Sequence, residues 1–505
     1  MLALLLILVA GVGCRVGQYL SNRSFWIDES FIVLNLRSRT AAQLLGPLDY
    51  TQAAPPLFLL AERAVVVSLG SSEYALRLLP LLAGVASLGL MAAVARRVLD
   101  PPAALAAVAL FAFSDRMIWH ATEVKPYSTD VMAGLLLTFA ALAGAGAGAG
   151  RASATARLAR TAALAAVLAW LSYPSVFVFG GVSLALLPAV TGARPLAKGW
   201  WRGAARYVAL NVPVVVSFVL VVLLVVRKQQ TEKLNAYWAA DDFANLTGPL
   251  AFLVWLARKL LALCNYATDL LGPAILLLAV VGAVALARAR GRRQLLAALT
   301  LPVALVVLAA CARRYPFDGE RVSAFLVPGV LLLAAAGFGA ALKGLAARYG
   351  GGGPSRARRW QATAAAALLA VPAGMCAYHL VLPRTRAHVR PAAEYVAAHW
   401  RPGDVIYCDP NVHQFLCYWP PAGAPDAARP DAPWAQSPPR GVKLLKDGEK
   451  PAGRFWLVLS YAPGHERQVG ERAKPARAAG TVRDEFRGYG GSAFLFDPKA
   501  AQNGP

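Results

Sequence analysis

Charge is scarce in this chain. Only 15% of its 505 residues are Asp, Glu, Lys or Arg, against 57% hydrophobic; that is more apolar material than one soluble core needs, which excludes a disordered chain and an ordinary water-soluble enzyme. Acidic residues are scarcer still, 27 against 51 basic ones, for a formal net charge of +24. The six cysteines show no spacing that reads as a zinc site. The first apolar run, Met1-Leu2-Ala3-Leu4-Leu5 onward, lacks a basic leader and ends in Gly17-Gln18-Tyr19-Leu20 rather than a small-residue cleavage site. It therefore reads as a retained first helix, and cleavage as a signal peptide would leave the rest of the topology unchanged.

What the chain does have is long apolar blocks. Crossing a bilayer takes about 20 apolar residues, and about eleven candidate segments are present. They lie near 2–20, 75–95, 101–114, 128–148, 161–173, 175–190, 207–226, 270–287, 294–312, 323–342 and 362–382. The expected fold class is an α-helical polytopic membrane protein over 1–383, followed by a small α/β domain over 384–505. Basic residues gather in alternate short loops, at Arg96-Arg97, Arg151 to Arg160, Arg194 to Arg206, Arg288 to Arg293 and Lys343 to Arg359, while the intervening loops hold most of the acids. This asymmetry orients the chain with its first loop and C-terminal domain outside the cytoplasm. It also accounts for the positive charge without nucleic acid, which is not an expected partner.

Directly after the first apolar run comes Ser24-Phe25-Trp26-Ile27-Asp28-Glu29-Ser30, an acidic pair behind an aromatic interface anchor. The loop from Ser21 to Ser72 is too apolar to be free in water. Asp28 to Leu36 has helical character, and a second helix begins at Pro55-Pro56, where a first turn tolerates proline. Both read as interfacial helices. Successive helical residues point about 100° apart, so Asp28 and Glu29 cannot both face one substrate; one is expected to react and the other to be structural. Acidic residues also favour a helix N-terminus for purely structural reasons.

Three stretches point further: Trp26-Ile27-Asp28-Glu29; Leu48-Asp49-Tyr50-Thr51-Gln52-Ala53-Ala54-Pro55-Pro56-Leu57; and Glu123-Val124-Lys125-Pro126-Tyr127. With Ser72-Glu73-Tyr74 and the Tyr315-Pro316-Phe317 turn, they resemble the GT-C membrane glycosyltransferases. The likeness is to the protein O-mannosyltransferase and lipid A aminoarabinose transferase group, with an aromatic-x-Asp-Glu after the first helix and a His-Pro-Pro-Leu-like turn in the same loop. Ala54 stands where that family has histidine. The resemblance covers about the first 130 residues by motif and the rest by topology. It implies transfer of a sugar from a polyprenyl-phosphate donor to a hydroxyl acceptor, inverting, on the outer face of a bacterial inner membrane. The acceptor could be a glycan, a lipid or a protein.

Such chemistry needs a base for the acceptor proton and cations for the departing phosphate. The resemblance makes Asp28 the base, with Glu29 beside it. Lys125, Arg313, Arg314 and Arg321 are the outer-side cations available to the phosphate, although arginines there also snorkel to bulk lipid headgroups. Glu123, Tyr127, His120 and Gln52 are candidates for holding the acceptor. A divalent metal is possible, but no ligand cluster is visible; Asp241-Asp242 reads as a solvated loop pair in a long outer segment from about 227 to 269. Trp26, Trp119, Tyr237 and Trp238 read as interface-belt residues.

Beyond Arg384 the pattern alternates: helix at Pro391 to Trp400, strand at Asp404 to Cys408, helix at Asn411 to Tyr418, strand at Arg454 to Ser460, helix at His465 to Arg477, and strands near Thr481 to Arg487 and Ser492 to Phe496. A Pro/Ala/Asp-rich loop fills Pro420 to Pro439. Neither a Gly-rich phosphate loop nor a nucleophile motif occurs there. Its expected role is acceptor recognition, a lid or plain stabilisation. In that oxidising location Cys408 and Cys417 could pair, whereas Cys14, Cys264, Cys311 and Cys376 read as small hydrophobes. The rival classes are a flippase of lipid-linked sugars and a silent scaffold of the same fold. A transporter would carry ionisable groups at mid-membrane, and these spans look nearly devoid of them.

Overall fold

The structure, a computed structural model, describes residues 1–143, 150–192, 199–349, 354–408, 412–419, 442–444, 451, 453–462 and 464–499. Helices α1 to α10 are Leu2–Leu20, Ile27–Ser38, Pro56–Leu69, Glu73–Val98, Pro101–Ala112, Asp115–His120, Tyr127–Leu142, Arg151–Leu168, Ser175–Thr191 and Trp200–Val221. The last continues through a π-helical turn, Val222–Val226, into the short α11, Arg227–Gln229. Then follow α12 (Glu232–Ala239), α13 (Pro249–Thr268), α14 (Gly272–Arg288), α15 (Arg293–Cys311), α16 (Val327–Tyr349) and α17 (Pro354–Val381). Two compact units divide the chain: one of residues 1–20, 53–58 and 77–383, the other of 21–52, 59–76 and 384–505. Most of the stretch between α1 and α4 is thus grouped with residues 384–505.

Among the described residues seven stretches are long and apolar enough to cross a membrane: Leu2–Leu20, Glu73–Val98, Trp200–Gln229, Pro249–Arg288, Arg293–Cys311, Ala324–Ala347 and Gln361–Val381. Pro101–Ala112, Tyr127–Leu142 and Ser175–Thr191 are shorter apolar helices. The protein is an integral, multi-pass membrane protein. Helix α13 departs from the sequence reading: it occupies nearly half of what looked like an outer segment from 227 to 269. Its mid-helix Arg258 and Lys259 interrupt the apolar run that would have revealed it. Helix α8 starts ten residues before the expected 161 because its arginines are helical, Arg160 donating from Nη2 to the carbonyls of Ala140 (2.7 Å) and Ala143 (3.0 Å).

The spans are less free of ionisable groups than they looked. Arg15, fully buried in α1, donates from Nη1 to the Gly11 (2.9 Å) and Ala112 (3.0 Å) carbonyls and from Nη2 to that of Phe111 (3.3 Å). The last carbonyls of α5 lack intrahelical partners, and a cation satisfies them. A periodicity search sees only an interruption at Arg15; the partner carbonyls lie nearly a hundred residues away. Asp130 is likewise buried, in α7. Helices α14 and α16 meet at two glycines. A Cβ on Gly282 would lie 2.0 Å from the Leu333 carbonyl oxygen, and one on Gly337 would lie 1.9 Å from that of Leu278. Backbone-to-backbone packing of this kind is how small residues join helices in lipid.

The second unit contains α2, most of α3 and a three-layer α/β/α domain. Its elements are α18 (Arg390–His399), β1 (Val405–Cys408), α19 (Val412–Leu416), β2 (Val442–Leu444), β3 (Phe455–Ser460), α20 (Arg467–Arg472), α21 (Lys474–Ala479), β4 (Gly480–Gly488) and β5 (Gly491–Pro498). The sheet order is β2-β1-β3-β5-β4, with β1 parallel to β2 and β3, and β5 antiparallel to β3 and β4. Alternation sends Phe455, Leu457, Leu459, Phe494 and Phe496 to one face, against Val469, Ala473 and Ala476 of the α20–α21 layer. The single helix expected at 465–477 is broken in two at Ala473, because Pro475 has no N–H to continue the first helix and suits the first turn of a second. Strand β2 was not foreseen, and the loop expected at 420–439 lies outside the described residues.

The cysteine reading is corrected. Cys408 and Cys417 are buried free thiols; Cys14 and Cys376 form a disulfide between α1 and α17. Cys408 sits within β1, hydrogen-bonded into the ladder, and the Cys417 thiol donates to the His413 carbonyl at 3.4 Å.

Asp404 anchors the domain. It accepts from Arg454 Nε (2.7 Å) and Nη2 (2.6 Å), the Arg401 N–H (3.0 Å) and Trp456 Nε1 (3.1 Å). Burial works against its charge, but these donors outweigh it and hold the carboxyl below its usual range. A depressed carboxyl contributes stability above its unfolded value and loses it as pH falls, here below about pH 4. Asp404→Ala is expected to destabilise this domain by about 3 kcal/mol and to flatten its acid unfolding. Tryptophan fluorescence during acid titration of the full-length protein checks both; an unchanged acid limb would count against this anchor.

Candidate active site

Glu29 and Asp28 have separate duties. Glu29 is fully buried; its Oε2 accepts from Arg23 Nη1 at 2.9 Å and from the Trp26 N–H at 3.1 Å. The second bond satisfies an orphan donor at the start of α2, as a capping-box acid does. Asp28 is only partly buried, in the same first turn. Of the two carboxylates, Glu29 is the one enclosed by the fold. Glu29→Gln keeps an acceptor for the cap but takes the Glu29 charge away from Arg23, 3% exposed. Removing one partner of a buried ion pair costs about 3–5 kcal/mol, so a large fall in melting temperature is expected, and an unchanged melt would refute the assignment.

Side chains far along the chain hold this loop. Tyr418 Oη accepts from the Phe25 N–H and donates to Glu73 Oε1, both at 2.8 Å. Ser24 donates from its N–H to His388 Nδ1 at 3.1 Å, and its Oγ accepts the Arg390 N–H at 3.0 Å. Arg390 Nη1 also pairs with Glu73 at 2.8 Å, and the Arg386 guanidinium lies 4.0 Å over the Trp26 ring. Trp26 is 7% exposed, so it is a packed stacking partner rather than a belt residue. Arg23 could have been suspected from its place six residues before Glu29; His388, Arg390 and Tyr418 gave no such signal.

Gln52 donates to the Tyr50 carbonyl at 3.1 Å, across a turn in which Tyr50 and Thr51 both have positive φ, +62° and +56°. Asn35 braces it, accepting the Asp49 N–H at 2.9 Å. Non-glycine residues in this region store strain that the surroundings must hold.

In the membrane unit, Ala54 is buried and gripped through its backbone. Its N–H donates to Gln229 Oε1 (3.1 Å) and its carbonyl accepts from Tyr173 Oη (2.9 Å). His120, Glu123 and Lys125 are buried. The His120 Nδ1–H donates to Glu123 Oε2 at 2.8 Å, and Nε2 is hydrogen-bonded to the Tyr266 hydroxyl at 2.6 Å. A carboxylate can only accept, which fixes the proton on Nδ1. The Tyr127 ring lies 4.8 Å from that of His120. Arg313 and Arg314 are exposed, Arg313 lying 5.7 Å from the Phe243 ring; Arg321 donates to Tyr237 Oη at 3.3 Å. Asp318 shapes the turn before it, accepting from the Val322 and Ser323 N–H groups at 3.0 and 3.1 Å.

Asp241 and Asp242 do not form an idle loop pair. Both bind Lys259 Nζ, at 3.0 and 2.7 Å. Among the described residues no group of three or more His, Cys, Asp and Glu side chains is placed to hold a metal ion.

No family model matches the sequence, and no curated protein matches it. Solved structures do. ArnT from Cupriavidus metallidurans bound to undecaprenyl phosphate aligns over 99% of both chains, with TM-score 0.52 and 16% identity. The fold is that of ArnT. The apo form of the same enzyme aligns over 95% of this chain and 96% of its own, with TM-score 0.51 and 14% identity. The oligosaccharyltransferase AglB from Archaeoglobus fulgidus, in complex with an inhibitory peptide and a dolichol-phosphate, aligns over 82% of this chain and 63% of its own, with TM-score 0.50 and 11% identity. The GT-C-like architecture implied by the sequence motifs is therefore present, membrane helices and small C-terminal sheet domain together, over the length of ArnT.

Proposed function

We propose that this protein is a membrane glycosyltransferase that moves a sugar from a polyprenyl-phosphate donor to a hydroxyl acceptor on the outer face of a bacterial inner membrane. The observation that carries the reading is the split within the acidic pair: Glu29 is committed to Arg23 and the helix cap, while the partly exposed Asp28 occupies the first turn of α2. The ArnT fold supports it, the ArnT and AglB structures each holding a polyprenyl or dolichol phosphate.

In this reading Asp28 accepts the proton of the acceptor hydroxyl as its oxygen attacks the anomeric carbon. The bond from that carbon to the phosphate oxygen breaks, with inversion, and polyprenyl phosphate leaves with the electron pair. Lys125, Arg313, Arg314 and Arg321 are the proposed phosphate ligands, a lysine giving a point charge and arginines a planar fork. Glu123, Tyr127, His120 and Gln52 are the proposed acceptor-positioning groups. A divalent metal would supply further charge stabilisation for the phosphate; the donor set for one is meagre among the described residues, so no step is assigned to it.

The test is transfer from radiolabelled polyprenyl-phosphate sugars by the detergent-solubilised protein. Label appearing in a product distinct from the polyprenyl-phosphate donor supports a transferase. Specific binding of the lipid phosphate without turnover, for every donor offered, would instead favour a flippase or a silent scaffold.

A further inference from the structure

The α/β domain has a cavity that none of the chemistry above uses. Its volume is about 300 Å³, and it is lined by Tyr461, Glu466, Arg487, Gly488, Tyr489 and Ser492 together with Val469. That is the lower end of the range for small-molecule sites. The cavity lies at the carboxyl end of β3, beside α20 and the β4–β5 turn. Tyr461 is the first residue beyond the carboxyl end of β3, and the pairing of Ser460 with Gly491 brings the β4–β5 turn to the same end.

The lining is rigid where it is buried and open where a ligand would land. Tyr461, 5% exposed, donates its hydroxyl to the Gly488 carbonyl at 2.7 Å and lies 2.8 Å from Ser492 Oγ. The two-residue turn Tyr489–Gly490 requires glycine at its second position: φ is +86° and a Cβ there would lie 2.8 Å from the His388 nitrogen. The Gly490 carbonyl accepts the N–H groups of Tyr461 (3.2 Å) and His388 (3.3 Å). This fixed turn presents Tyr489, 62% exposed, as an aromatic face at the rim.

We propose that this cavity is a carbohydrate subsite that holds a neutral hexose unit of an acceptor glycan. A sugar offers an apolar C–H face for the Tyr489 ring and hydroxyls that both donate and accept. Glu466, one oxygen of which accepts the Gly464 N–H at 3.0 Å, and Arg487, which pairs with Glu485 at 3.2 Å, keep one planar acceptor and one planar donor at the same cavity. A phosphate would meet the Glu466 carboxylate and an ammonium the Arg487 guanidinium, so a neutral polyol matches the pair better than either ion. The acceptor role rests on the glycosyltransferase reading; the binding site does not.

The test uses the full-length protein in a sugar-free detergent, with maltose, cellobiose, lactose and chitobiose as probes in saturation-transfer NMR. At least one disaccharide is expected to receive saturation, weakened about tenfold in affinity by Tyr489→Ala and also weakened by Glu466→Gln. Both residues are exposed, so folding is not at risk. Absence of saturation for all four, insensitivity to both variants, or displacement by inorganic phosphate would overturn the subsite. Where transfer is measurable, both variants are expected to raise the acceptor KM and leave kcat unchanged; an unmoved KM would overturn the acceptor role. Disaccharide binding that is sensitive to Tyr489 in a protein without any transfer activity would uphold the subsite and sink the glycosyltransferase reading instead.

Discussion

Asp28→Asn is expected to abolish sugar transfer, with a fall in kcat of about a thousandfold, the usual worth of a positioned general base. Asparagine has the same shape but cannot accept the acceptor proton in the transition state. Its effect on folding is expected to be small, because the carboxylate that caps α2 is that of Glu29, through the Trp26 N–H, and loss of one charge from a first turn costs only about 0.5 kcal/mol. Melting temperature and binding of the lipid-phosphate donor should therefore match wild type while turnover disappears. Radiolabel transfer at equal folded yield, paired with a thermal melt, separates the two effects. Turnover that survives Asp28→Asn would remove Asp28 from the role of base.

Gly337→Val is expected to do the opposite, removing the folded protein rather than its activity. The Cβ of any side chain at Gly337 would lie 1.9 Å from the Leu278 carbonyl oxygen and 2.8 Å from the Gly282 nitrogen. Neither obstacle is a flexible side chain, so α14 and α16 must separate. The cost includes the overpacking penalty of about 1–3 kcal/mol and the loss of the close backbone approach that holds helices together where lipid tails give no hydrophobic incentive. Gly344→Ala on the same helix is the control, since a Cβ there meets nothing within 4 Å. Size-exclusion profiles in mild detergent should show the valine variant aggregated and the alanine variant monodisperse. A monodisperse, wild-type-like valine variant would mean that the crossing tolerates separation.

The two carboxylates illustrate how far one line of sequence reaches. That Asp28 and Glu29 cannot serve one substrate follows from the 100° between helical neighbours. Which one is structural does not, because it depends on Arg23 folding back onto Glu29. Asp241 and Asp242 show the same limit. Their pairing with Lys259 required α13 to exist as a helix, and the charge at Arg258 and Lys259 had hidden it.

Composition and periodicity by themselves determined that the chain is a polytopic membrane protein, where most spans lie, that an α/β domain follows Arg384 and that an acidic pair opens the helix after the first span. These are short-range properties: apolar length and 2.0- or 3.6-residue alternation are written within a few turns of chain. Only the tertiary structure decided that Arg15 closes the end of α5, that Gln229 and Tyr173 grip Ala54, that residues 21–52 are grouped with residues 384–505, and that Cys14 bonds to Cys376 rather than Cys408 to Cys417. Each of those joins residues about a hundred or more positions apart. Their pairing is set by which helices and strands pack together, and one-dimensional periodicity carries no record of that.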